Sequence, residues 1–109
     1  MIDVTTADRI AVVMHALGES TRLLILRDLV AGGLPVGEIA ATVKRPVVNV
    51  SHHLGILRNA GVLTCERRGR QRIYALNPDL VSQKPDGRTV LKFDGVTVVL
   101  TAPAKEQNI

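Results

Sequence analysis

Apolar positions in the first half of the chain recur at helical spacing; those in the second half follow strand-like runs. From about Ala7 to Leu17, Ile10, Val13, Met14 and Leu17 form one stripe at the 3.6-residue period of a helix. Ala11 and Val12 add apolar surface off that stripe, and a helix apolar on more than one face needs more than one partner. Residues 1–6 read as a loose lead-in, and Gly18 ends the helix. Ser20 is the expected N-cap of a second helix over 21–31, which buries Leu23, Leu24, Ile25, Leu26, Leu29 and Val30 before Gly32-Gly33 stops it. A short third helix runs from Val36 to Thr42, with Ile39, Ala40 and Val43 inward. Pro46 sits at the first position of a fourth, where its missing N–H is no loss. That helix continues to about Ala60 and closes at Gly61.

The signals then change to those of strands. Val62–Arg67 and Arg72–Leu76 flank an Arg-Gly-Arg turn and read as a hairpin ended by Asn77-Pro78. Residues 79–88 are polar and read as a linker. Thr89–Phe93 and Val96–Thr101 flank Asp94-Gly95, the strongest short hairpin signal. A two-residue turn there pairs Phe93 with Val96, Leu91 with Val98 and Thr89 with Leu100. Leu91, Phe93, Val96, Val98 and Leu100 then share one apolar face, and the hairpin must pack against something. Residues 102–109 are expected to be a flexible tail. The fold class is mainly α with a β-wing (α+β): a winged helix-turn-helix over 1–78 plus a C-terminal β-hairpin over 89–101.

The fourth helix carries the candidate chemistry. With Val50 at the centre of its buried face, Leu54 and Leu57 fall on the same side, and Val48, Ser51, His52, Gly55 and Asn59 fall opposite. Short polar and methyl-bearing side chains suit base edges, which offer donors, acceptors and thymine methyls. A glycine at 55 would let the helix backbone approach DNA closely.

Charge sharpens this picture. The chain has 14 Lys and Arg against 10 Asp and Glu, a net charge of +4. Between Lys44 and Arg72, however, seven basic residues (Lys44, Arg45, Arg58, Arg67, Arg68, Arg70 and Arg72) are opposed only by Glu66. Such a concentration points to a polyanion, with these seven as phosphate-contacting candidates on both sides of a groove. Double-stranded DNA is the expected partner. At 2% aromatic residues, a stacking platform for single strands is not expected.

Other chemistries find little support. Cys65 is the only cysteine and reads as a small buried hydrophobe, the alternative being a redox switch activated by nearby arginines, for which the chain offers no resolving cysteine. Ser51 and His52 are helix neighbours that do not face each other, and no carboxylate is placed to orient the base, so no catalytic residue is expected. No cofactor is expected. No apolar run reaches membrane length and no secretory leader is evident, so a cytoplasmic protein without a membrane partner is expected.

Three stretches carry a family resemblance: ALGESTRLLILRDLVAGG, VGEIAATV and VSHHLGILRNAGVLTCERRGRQRIYALNP. They resemble the ArsR family of bacterial winged-helix repressors over about residues 10–78. The resemblance implies a homodimeric repressor on a near-palindromic operator. It also implies base contacts from the positions of Val48, Ser51 and His52. The family's frequent Gln-Ser-Thr run is here Val47, Val48 and Asn49, so readout is expected to be more apolar, with Asn49 completing the base-reading set. Members that sense soft metals place two cysteines where Pro35 and Gly37 stand, and neither residue can ligate a metal. Many members end in a helix that pairs across the dimer; this chain has a hairpin instead. No metal site is therefore expected. Ile10, Val13, Met14 and Leu17, together with Leu91, Phe93, Val96, Val98 and Leu100, are the expected dimer interface, the alternative being a hairpin folded back on its own subunit. The competing function is a winged-helix module for protein–protein association. Four arginines within residues 67–72 argue against it, because charge is depleted at the core of such interfaces.

Overall fold

The computed structural model describes residues 2–93 and 95–100. Asp94 of the second turn and the expected tail lie outside the described residues. The described residues form four helices, α1 (Val4–Leu17), α2 (Ser20–Leu29), α3 (Val36–Val43) and α4 (Val47–Asn59), and six strands: β1 (Leu34–Pro35) between α2 and α3, then β2 (Leu63–Arg68), β3 (Gln71–Leu76), β4 (Val81–Gln83), β5 (Thr89–Phe93) and β6 (Val96–Leu100) after α4. The strands form two antiparallel sheets, ordered β1-β3-β2 and β4-β5-β6. No helix among the described residues is long and apolar enough to cross a membrane.

Helix starts differ from the sequence expectation because carboxylates cap them. α1 begins at Val4 rather than Ala7: Asp3 Oδ1 accepts the Thr6 N–H at 2.7 Å, satisfying a donor that has no partner within the helix. Glu19, not Ser20, caps α2, its Oε1 accepting the Arg22 N–H at 3.0 Å. α2 ends at Leu29. Its buried face is Arg22, Ile25, Leu26 and Leu29, spaced i, i+3, i+4, i+7. Leu23, expected inside, is 46% exposed because it lies off that stripe.

β1 has only two residues, too short to show in the pattern. Leu34 pairs with Tyr74 and Pro35 with Ile73. Gly33 permits this approach, since a Cβ there would stand 2.9 Å from Ile73 Cγ2 and 3.2 Å from the Tyr74 carbonyl.

The expected linker over 79–88 is structured. Val81 pairs with Leu91 and Gln83 with Thr89, and the Lys92 N–H bonds to the Leu80 carbonyl at 2.9 Å. The Lys84 N–H reaches the Arg88 carbonyl at 2.8 Å, and Asp86 bridges to Arg88 Nε at 2.7 Å. The segment is therefore strand and turn. Its half-buried Leu80 and Val81 pack against the main core, a gain that a solvated linker would forgo.

That core draws on both halves of the chain. Ile25, Leu26, Leu29, Ile39, Val50, Leu54, Leu57 and Val62 fill it, and Leu91 of β5 lies in the same cluster with no exposed surface. Phe93, Val98 and Leu100 pack against it. The C-terminal hairpin thus folds back on its own subunit, reaching Ile10 of α1, whose Cδ1 would lie 3.3 Å from a Cβ at Gly95. Val13, Leu17 and Leu91 are buried within the single chain. The subunit uses their apolar surface for its own core.

The caps make stability depend on pH. Backbone N–H donors hold the Asp3 and Glu19 carboxyls below their ordinary values of 3.8 and 4.5. A depressed folded value means a stabilisation that is complete above the ordinary value and lost as pH falls through the lowered one. Stability by denaturant titration is expected to decline below pH 4.5. Asp3→Asn and Glu19→Gln, which keep an acceptor without its charge, should flatten that decline. An unaltered acid limb in the double variant would contradict the capping assignment.

Candidate nucleic-acid interface

α3 ends at Val43 and is capped by Lys44, whose backbone is left-handed (φ 58°, ψ 49°). Such a conformation disfavours any side chain by about 1–2 kcal/mol. The Lys44 and Arg45 N–H groups both close on the Ala40 carbonyl. Pro46, in an extended conformation, then caps α4, and the Val50 N–H bonds to its carbonyl at 3.0 Å. Three residues therefore join α3 to α4 as a helix-turn-helix.

α4 packs on α2, α3 and β2 through Val50, Leu54 and Leu57, none with exposed surface. Its outer half brings Val48, Asn49, Ser51 and His52 together, all exposed, Val48 at 80%. Val47 is exposed beside them. A Cβ added at Gly55 would meet nothing within 4 Å. The protein's own packing therefore does not call for glycine there, although glycine weakens a helix interior by about 1 kcal/mol relative to alanine.

One residue of this region was not singled out from the sequence. Arg22 of α2 is buried; its Nε donates to the Ala16 carbonyl at 2.6 Å and its Nη1 lies 3.1 Å from Nδ1 of His53 on α4. The signal that could have found it is its place on the stripe with Ile25, Leu26 and Leu29.

β2 and β3 form the wing, each reaching one residue nearer the turn than expected. Gly69, at φ 61°, and Arg70 make the two-residue turn. The register sets Arg67 directly opposite Arg72, and like charges so placed weaken a sheet. Arg67, Arg70, Gln71 and Arg72 line a concavity of about 290 Å³, with Pro35, Val36 and Gly37 completing the lining. Arg68 meets Glu66 Oε1 at 3.1 Å with both side chains well exposed. Such a pair is worth at most about 1 kcal/mol, so a phosphate can replace the carboxylate. Arg45 Nη1 turns back onto the Val43 and Lys44 carbonyls. Lys44 and Arg45 thus stand before α4, Arg58 is exposed in its last turn, and the other four basic residues belong to the wing.

Cys65 is half-buried and faces Tyr74 across the wing. Burial pushes the Tyr74 phenol above its ordinary value, and the Cys65 thiol adds to this; Arg72 and Arg58 pull weakly the other way. Pro35 caps α3 without a side-chain hydrogen bond, and Gly37 lies in its first turn. Among the described residues no three His, Cys, Asp or Glu side chains are grouped as a metal would need.

Comparison with known proteins agrees with this geometry. Residues 17–66 match the sequence profile of a helix-turn-helix domain. The HTH-type transcriptional regulator NmtR of Mycobacterium tuberculosis is 36% identical over 85 residues, covering 78% of this chain and 71% of that protein. The transcriptional repressor SdpR of Bacillus subtilis is 37% identical over 65 residues, covering 60% and 72%. Among solved structures, a homodimeric winged helix-turn-helix DNA-binding domain from Mycobacterium bovis, a possible ArsR-family transcriptional regulator, aligns with a TM-score of 0.64. It is 29% identical and covers 67% of this chain and 68% of that one.

The open space at Gly55 gives a prediction of opposite signs. Gly55→Ala should raise stability by about 1 kcal/mol in thermal denaturation and weaken duplex binding in fluorescence anisotropy. Unchanged binding would show that DNA does not approach this part of α4.

Proposed function

The chain belongs to the ArsR family of winged helix-turn-helix DNA-binding transcriptional regulators, and we propose that it acts as a homodimeric repressor on a near-palindromic operator. In this reading α4 lies in the major groove of each half-site, and the β2–β3 wing meets the flanking phosphates. The carrying observation is the wing register that sets Arg67 against Arg72. A phosphate between the two guanidinium groups turns a repulsion that weakens the free protein into two charge-assisted contacts. Lys44, Arg45, Arg58, Arg68 and Arg70 extend the phosphate set along both sides of α4.

Base reading falls to Val48, Asn49, Ser51 and His52. Asn49, Ser51 and His52 supply donors and acceptors, and the Val48 methyls suit a thymine methyl.

The homodimer reading draws on the assembly of the Mycobacterium bovis domain and on the outer side of α1. Val12 is exposed there, beside a groove lined by Ala11, Val12, His15, Ala16, Ile56, Asn59 and Ala60, while Met14 is exposed on the opposite flank of α1. A second copy on this face, with Ile10, Phe93, Val96, Val98 and Leu100 at its margin, would relate two α4 helices by a two-fold axis. Residues 1–78 then form the reading unit, with β5 and β6 as its support. Because Pro35 and Gly37 offer no ligand, zinc, cadmium and arsenite should leave DNA binding unchanged. Stoichiometric metal release from DNA would contradict this.

Selection of bound duplexes from a random pool, followed by salt titration, tests the function. With six or so phosphate contacts, affinity should fall about 10³-fold between roughly 50 and 200 mM salt. A flat salt response, or equal affinity for unrelated duplexes under competition, would overturn the reading. Arg72→Thr should stabilise the free protein while reducing the salt slope by about one contact.

A further inference from the structure

α2 places one arginine in the interior. Arg22 keeps 8% of its surface exposed; its side chain forms no close salt bridge among the described residues, although the Glu19 carboxylate interacts electrostatically with both Arg22 and His53. Two neutral acceptors hold the guanidinium instead. Nε donates to the Ala16 carbonyl at 2.6 Å, in the last turn of α1, and Nη1 lies 3.1 Å from His53 Nδ1. The Ala16 carbonyl is among those at a helix C-terminus that have no partner within the helix. The Arg22 backbone N–H is also engaged, donating to Glu19 Oε1. A single residue therefore joins the end of α1, the α1–α2 turn and α4.

Direction follows from chemistry. A guanidinium only donates, so Nδ1 of His53 must accept. The ring proton then sits on Nε2, and one tautomer is selected for as long as the contact holds. His53 in turn meets His52 edge-on, with ring centroids 5.7 Å apart and planes at 61°. His52 is one of the outward residues assigned to base reading. The contacts therefore run from a buried donor, through an imidazole of fixed tautomer, to an exposed imidazole on the face turned to DNA.

We infer that Arg22 is a positioning residue for sequence reading: by holding His53 Nδ1 it sets the pose of the His53 ring and, through it, that of the His52 ring, on a helix whose rotation the buried seam of Val50, Leu54 and Leu57 already fixes. Arg22 itself does not contact DNA. The inference rests on α4 being the reading helix. It predicts that losing the contact lowers discrimination between duplexes more than it lowers affinity for DNA in general, because the phosphate-contacting arginines stay in place.

The test uses the full chain, a duplex recovered by selection from a random pool, and a scrambled duplex of the same length. Asparagine at 53 sets an amide oxygen near the place of Nδ1 and keeps an acceptor for Arg22. Glutamine sets its amide near the place of Nε2 and does not. His53→Asn should keep the ratio of selected to scrambled affinity within about threefold, while His53→Gln and Arg22→Met should lower it about tenfold or more. Affinity for the scrambled duplex should stay within about twofold throughout. In the unmodified protein, imidazole ¹⁵N shifts should show a protonated Nε2 and a bare Nδ1 at His53. Should Arg22→Met fail to fold, the two His53 variants carry the comparison alone. Glutamine performing as well as asparagine, an unchanged ratio in a folded Arg22→Met, or a proton on Nδ1 would each overturn the inference. If Ser51→Ala and His52→Ala leave the ratio unchanged while the Nε2–H tautomer is observed, the reading-helix assignment fails and the positioning role falls with it, although the Arg22–His53 contact stands.

Discussion

The inner seam of α4 decides what the molecule shows to its surroundings. Val50, Leu54 and Leu57 have no exposed surface, and burying each is worth about 1.5–3 kcal/mol. Rotating α4 by even one residue, about 100°, would bring part of that seam into water. The outward set of Val48, Asn49, Ser51 and His52 is therefore fixed by what lies behind it. The same seam draws on Ile25, Leu26 and Leu29 of α2 and Ile39 of α3, so the reading face stands on the rigid centre of the fold. Sites built this way hold their geometry better than sites on loops.

Around that face, local rules of stability are broken repeatedly. Lys44 takes a conformation that favours glycine, Gly55 stands in a helix interior with open space beside it, and Arg67 faces Arg72 across two strands. The wing concavity gathers three arginines without a carboxylate among its lining residues. Each departure weakens the isolated chain, and together they surround the outer half of α4. Sequences tend to break local rules where function requires it, and here each departure favours a closely approaching polyanion.

Much of this was legible in the sequence. The 3.6-residue spacing in 47–59 separates an inner seam from an outer face without a structure, and both appear where the spacing put them. Arg-Gly-Arg announced the wing, and the pairing of Phe93 with Val96 and of Leu91 with Val98 followed from turn length alone. What escaped had physical reasons. β1 is two residues long and shows no period. β4 takes Val81, Ser82 and Gln83 from a polar run and owes its order to β5, a partner distant enough for composition to miss. Glu19 was passed over for Ser20 because capping by a glutamate is less common than by serine. Arg22 was hidden by the leucines around it, since arginine is seldom buried without a partner. The inward fold of the C-terminal sheet depends on Leu91 reaching the helical core, which is a matter of tertiary packing rather than pattern.

The central claim is that duplex DNA meets the outer half of α4 and the wing. Mapping backbone amide shifts by NMR, as the selected duplex is added to isotope-labelled protein, tests it most directly. The account predicts that the largest changes fall at exposed positions between Lys44 and Asn59 and between Glu66 and Arg72, with β4–β6 little affected. Changes concentrated on α1 or the β4–β6 sheet, with the outer half of α4 undisturbed, would contradict it.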